Sequence, residues 1–386
     1  MSNTILLRGA RQLLSLRGPA GPRRGDAVRD LAIIEDGSLL IRDAKIIHVG
    51  STRRIENLKE AREAAEIPAH GRVVMPGFAD PGLHFGLSRR GDAQRSSKRK
   101  KKPAELYAEA LELLRACMQH GTLAAELKVN AELDDPRSAI SALRQLSKLH
   151  SQYLSAVNTW SIHAALTSNG DFRKTLEVIA RRKLAQFIEL HSVEGPLDDE
   201  VLKPIDDAEL AVKLYWPGGP ADQLEHLLAR LRPLSVFSSH PLSAQEVAVL
   251  ANHPAVVVFS PGKDALDGPP VDSIRRVLDA GGAVALSSGY DPDHSPSFSM
   301  QMMIALAVFR LRMTAEEAIT AATINAACAF GAGDTSGSLE AGKRANVLLL
   351  DVSDYRDLPR QFGINHVAMA IRDGAIVFNR TRWRTT

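Results

Sequence analysis

Short runs of β-branched and apolar residues alternate along most of the chain with longer stretches in which apolar positions recur every three or four residues. The strand candidates are the run ending Val73-Val74-Met75-Pro76-Gly77-Phe78, then Thr122 to Lys128, Leu154 to Ala164, Ala185 to Ser192, Leu210 to Trp216, Leu234 to His240, Ala255 to Ser260 and Ala283 to Ser288. Between them, Ala104 to His120 places Leu106, Ala110, Leu113, Leu114 and Cys117 on one helical face and stops at Gly121, a suitable C-terminal residue. Asp222 to Leu231 does the same with Leu224, Leu227, Leu228 and Leu231. Ser243 with Glu246, and Thr314 with Glu317, have the spacing of capping boxes and open two more helices. Apolar strands separated by amphipathic helices predict a parallel sheet with crossover helices. Eight such units close most simply into a (β/α)8 barrel with right-handed crossovers.

Both ends of the chain break this rhythm. Ile33 to Ile41 and Lys45 to Gly50 near the start, and Ala345 to Asp351 and Ile371 to Phe378 near the finish, are short β-strand patterns. Asp36-Gly37 and Asp373-Gly374 carry the residues of hairpin turns. The expected organisation is an α/β protein with a (β/α)8 TIM barrel over residues 73–335. A small β-sandwich domain, assembled from residues 1–72 and 336–386, flanks it.

Composition narrows the function classes. Of 386 residues, 45% are hydrophobic and 24% charged, with a net charge of +3, which is the profile of an ordinary globular chain. No stretch reaches the roughly 18 apolar residues of a membrane span, and the opening MSNTILLRGARQLLSLRG interrupts its apolar run with arginine. A cytoplasmic protein with no membrane partner is therefore expected. Cys117 and Cys328 are too few for a disulfide framework and fall in helical patterns, as core filler. The basic run from Lys98 to Lys102 lacks interleaved aromatics and sits beside Ser96, Ser97 and Pro103. It reads as a solvated loop, and a nucleic-acid partner is not expected.

Barrel enzymes carry their chemistry at the C-terminal strand ends. Those ends here hold Gly82 and His84, Glu126 and Lys128, His163, His191 and Glu194, Tyr215, His240, Pro261, and Gly289 with Asp291, Asp293 and His294. Glu126 and Lys128 are two apart on one strand and face the same side, so they are read either as a buried salt bridge or as working groups.

These residues, with Met75-Pro76-Gly77-Phe78-Ala79-Asp80, Thr323-Ile324-Asn325-Ala326-Ala327 and Gly337-Ser338-Leu339-Glu340, resemble the amidohydrolase superfamily and its imidazolonepropionase branch. The resemblance implies a metal-dependent hydrolase barrel. In that template a His-x-His pair on strand one, a His on strand five and an Asp on strand eight hold one Zn²⁺ or Fe³⁺, which activates water against a cyclic amide. Here the pair is Gly82-Leu83-His84, the strand-five position is Tyr215 and the strand-eight position is Gly289. His84 is the one ligand retained. His163 matches a substrate-contacting histidine, His240 a histidine that assists proton transfer, and Arg89 or Arg90 a carboxylate-binding arginine.

Two readings compete. In the first the chain is a degenerate, metal-free homologue that binds a small ligand or has no hydrolytic turnover, and no cofactor is expected. In the second it is an active hydrolase of cyclic amides or other non-peptide carbon–nitrogen bonds. It would then gather His84, His163 and His240 around a relocated Zn or Fe, or use them in acid–base catalysis alone, and Asp291, Asp293 and His294 are available to rebuild a shifted metal site. Whether the pocket of Glu126, Lys128, His163 and His240 acts or only packs stays open at this level. A homodimer is implied by the resemblance alone.

Overall fold

The chain enters through five strands: β1 (Thr4–Leu14), β2 (Ile33–Arg42), β3 (Lys45–Ser51), β4 (Ala65–Pro68) and β5 (Val73–Pro76). β1 is the hub, antiparallel to β2 and parallel to β4 and β5, while β2 pairs antiparallel with β3. Asp36-Gly37, expected as a hairpin turn, lies instead inside β2, opposite a bulge between Leu7 and Ala10. A Cβ on Gly37 would come within 2.5 Å of the Leu13 Cβ. This glycine allows two strands to approach; the reversal falls at Asp43-Ala44, with Asp43 at φ 54°.

The run 73–78, expected as one barrel strand, divides at Gly77. Its first half is β5, and the barrel begins at Phe78. The barrel strands are β6 (Phe78–Phe85), β7 (Thr122–Asn130), β8 (Ser155–His163), β9 (Phe187–His191), β10 (Ala211–Trp216), β11 (Ser235–Ser238), β12 (Val256–Phe259) and β13 (Val284–Leu286). Each is parallel to its neighbours, in chain order. The helices follow as expected, including Pro103–Gln119 and Ala221–Leu231, and both capping boxes form at Ser243 and Thr314. In this computed structural model the described residues are 4–85, 102–130, 137–149, 155–163, 170–191, 199–238, 240–262, 272–291 and 295–380.

Closure between β13 and β6 is made by side chains more than by a ladder. Leu83 bridges Tyr290 in parallel, and the His84 amide donates to the Tyr290 carbonyl at 2.9 Å. The buried Asp80 carboxylate accepts from Ser287 Oγ at 2.9 Å, from the Ser288 amide at 3.1 Å and from the Gly82 amide at 3.1 Å. Burial pushes its pKa up against these hydrogen bonds. At the opposite end the segment between β1 and β2 straps across the barrel. Asn325 accepts from the Arg23 amide at 2.6 Å and donates to the carbonyls of Arg23 and Val284.

The chain returns in β14 (Val347–Leu350), β15 (Val367–Arg372) and β16 (Ala375–Asn379), which extend the first sheet in the order β16-β15-β14-β5-β1-β2-β3. Here the Asp373-Gly374 hairpin forms as expected, with φ of 48° and 75°, the left-handed pair of a type I′ turn. The pleat assigns the two faces. Leu13, Val74, Val347 and Leu349 enclose a core of the sheet's own, while Leu14, Val73, Leu348 and Leu350 pack on the barrel. Cys117 and Cys328 are both buried, as expected. Among the described residues no helix is long and apolar enough to cross a membrane.

Candidate functional site: the barrel mouth

The interior of β7 to β10 carries four buried charges. Glu126 and Lys128, expected as each other's partners, are not paired to one another. Glu126 accepts from Lys213 Nζ on β10 at 2.5 Å and from Thr159 Oγ1 on β8 at 2.5 Å. Lys128 donates to Glu189 on β9, whose second oxygen takes a hydrogen bond from Ser161 Oγ at 2.6 Å. Side chains two apart on a strand share a face, but the nearest opposite charge stands on another strand. All four groups are at most 2% exposed. The sequence carried a signal for the two partners it left out. Glu189 in Phe187-Ile188-Glu189-Leu190 and Lys213 in Val212-Lys213-Leu214 are lone charges within apolar strands, and such charges are buried only when paired.

The electrostatics follow from the pairing. Burial alone depresses the Lys128 pKa, and the Glu189 and Glu126 carboxylates reverse this and raise it. Burial raises that of Glu189, but the Lys128 ammonium and the His191 hydrogen bond hold it well below the usual carboxylate range. Lys213, with one carboxylate partner and Lys128 as a like charge, is pushed by burial down to about 8. Its ammonium lies 4.3 Å from the centre of the Phe187 ring.

Above the ion pairs, residues in register on β9, β10 and β11 form a stack of rings. His191 and Tyr215 lie 4.7 Å apart, and Tyr215 and Phe237 5.5 Å apart, with planes within 13°. His191 Nε2 lies 2.5 Å from Ser161 Oγ and 3.0 Å from Glu189 Oε2. His84, at the end of β6, is pushed down to about 4 by burial and by the Lys128 ammonium, so at neutral pH it is a neutral imidazole.

Two glycines and one histidine decide what this mouth can accommodate. A Cβ on Gly82 would stand 2.6 Å from Ser287 Oγ, the hydroxyl that holds Asp80. Gly289 has φ 54°, and a Cβ there would stand 2.7 Å from the Ser260 Cβ. His240 Nε2 donates to the Glu246 carboxylate at 3.0 Å and its Nδ1 accepts from Ser238 Oγ at 3.1 Å, so both ring nitrogens are engaged. Glu246 in turn accepts from Trp216 Nε1 at 2.6 Å and from the Ser243 amide at 2.7 Å. The His240 ring also fills the space over Gly218, where a Cβ would come within 2.8 Å of it.

The model of the Amidohydrolase family matches residues 46–377. The chain belongs to that family. It is also imidazolonepropionase-like over its full length. It is 30% identical to the imidazolonepropionase of Geobacillus thermodenitrificans over 97% of this chain and 98% of the relative, and 29% identical to that of Brevibacillus brevis over 98% of each. Among solved structures it is similar in fold to A. niger ochratoxinase, with TM-score 0.71 at 16% identity over 98% of this chain and 96% of that one. The E. coli guanine deaminase gives TM-score 0.66 at 14% identity over 98% and 99%.

The family's metal does not fit the residues present. At the four positions that the resemblance assigns to metal ligands, Gly82 and Gly289 offer no side-chain donor, and a Cβ at either would meet Ser287 or Ser260. Tyr215 is engaged in the ring stack, and His84 alone is a ligand type of the template. The remaining candidates divide. Glu126, Lys128 and His240 belong to internal networks, and Asp291 bridges Ser295 through the backbone. The backbone of His163 ends β8 in register with His191. The His163 side chain, together with Arg89, Arg90, Lys98 to Lys101, Glu194, Asp293 and His294, lies outside the described residues.

Two outcomes follow. Lys213→Met leaves the Glu126 carboxylate buried without its cation and is expected to cost about 3–5 kcal/mol in urea unfolding, whereas adding Glu126→Leu recovers most of that loss. The unfolded chain protonates His84 near 6.5 and the folded chain only near 4, so between these values the unfolded state binds more protons and stability falls as pH drops. His84→Asn is expected to flatten the fall of Tm from pH 7 to pH 4; an unchanged slope would refute this assignment.

Proposed function

We propose that this chain is an imidazolonepropionase-like amidohydrolase in which the barrel mouth has become a structural polar core, without hydrolysis by the metal route. The observation that carries the reading is steric. Serine hydroxyls occupy the space next to Gly82 and Gly289, so the ligand side chains are absent and the room for them is filled. The polar groups that surround the old centre support it. Glu126, Glu189, Lys128, Lys213, Ser161 and Thr159 bond one another, and a polar network of this kind, satisfied internally, holds a unique barrel geometry. Both ring nitrogens of His240 are likewise held within an internal network, by Ser238 and Glu246.

The test is an assay of the full-length protein with imidazolonepropionate, with Zn²⁺ or Fe³⁺ added in turn. The expected result is no turnover above the uncatalysed rate with either ion and no change on adding a chelator. Turnover that a chelator abolishes would defeat the proposal, and so would metal-independent turnover lost in His240→Ala.

A further inference from the structure

A second concavity lies on the outer wall of the barrel, between the helices Gly170–Arg181 and Asp199–Asp207. Its volume, 780 Å³, is within the range of sites that enclose small organic ligands. The floor is apolar, made by the buried Leu176 and the half-buried Ala180, Pro204 and Ala208. Pro204, inside its helix, brings an apolar ring and no amide hydrogen to this surface.

The rim is charged and unevenly so. Arg173, Arg181 and Lys203 are exposed and make no ion pair with any described side chain. Glu177 and Asp207 also line the groove. Three cations over two carboxylates leave one positive charge to be matched. Arg173, Glu177 and Arg181 follow one another at single-turn intervals, so Glu177 lies within one turn of each arginine. The two guanidiniums then stand at either end of an apolar strip of about 12 Å, which the stems of arginine and lysine line with methylenes.

We propose that this groove binds a long-chain carboxylate, with its alkyl chain along Leu176, Ala180, Pro204 and Ala208 and its head group on an arginine fork. The excess charge selects an anion, the floor selects an apolar body, and a planar guanidinium matches a carboxylate in bidentate geometry. The site is separate from the barrel mouth and does not depend on whether the mouth is catalytic.

The experiment is calorimetric titration of the full-length protein with dodecanoate below its micellar concentration. Wild type is compared with Arg181→Glu/Lys203→Glu and, separately, with Ala208→Trp, which fills the floor. Circular dichroism confirms that each variant is folded. The expected result is saturable one-to-one binding that weakens at least tenfold in each variant and weakens on raising salt, with dodecanol and dodecylamine binding at least tenfold more weakly than dodecanoate. No saturable binding to wild type would overturn the proposal. So would equal affinity in wild type and both variants, equal affinity for dodecanol, or binding only to anionic lipid vesicles and not to free dodecanoate.

Discussion

Four charges inside the barrel constrain everything around them. Moving an unpaired carboxylate or ammonium into a protein interior costs several kcal/mol even after relaxation, so each must meet an opposite charge and have its remaining hydrogen-bonding capacity filled. The chain meets this by pairing across strands. Lys213 reaches Glu126, Lys128 reaches Glu189, and Thr159 and Ser161 on the intervening strand take up remaining carboxylate capacity. These side chains link β7, β8, β9 and β10 through the interior and fix how the four strands sit against one another. The ring stack of His191, Tyr215 and Phe237 lies on that platform.

On the other side of the barrel, space is the constraint. β6 and β13 close through Asp80, and two of its donors, Ser287 and Ser288, come from the segment just past β13. The Ser287 hydroxyl that holds the closure also occupies the room a side chain at Gly82 would need. A residue larger than glycine at position 82 would therefore require the Ser287 hydroxyl to turn away from Asp80. A Cβ at Gly289 would likewise meet Ser260, and one at Gly218 the His240 ring, so three glycines around the mouth sit directly against a neighbouring side chain.

The barrel was legible in the sequence because a parallel sheet covered by helices leaves two strong periodic signals, and their alternation counts the units. The small β-domain was legible in outline. Its details were not, because one dipeptide serves two purposes: Asp373-Gly374 turns the chain, whereas Asp36-Gly37 lets β2 pass close to β1. The run 73–78 could not be divided by hydrophobicity, since both halves are buried and only pairing partners distinguish β5 from β6. At the site, alternation placed Glu126 and Lys128 on one face correctly. It could not identify their partners, which lie 61 and 87 residues away along the chain. Gly82 and Gly289, at the positions where the resemblance places ligands, were visible from the motif spacing, but the serines packed against them became visible only in three dimensions.

Competition titration of the full-length protein with Zn²⁺ against a chromophoric chelator tests the central claim most directly. A mouth whose ligand positions are filled by serine predicts that the chelator keeps the metal and that His84→Ala changes nothing. One zinc per chain held against the chelator, and released in His84→Ala, would contradict it.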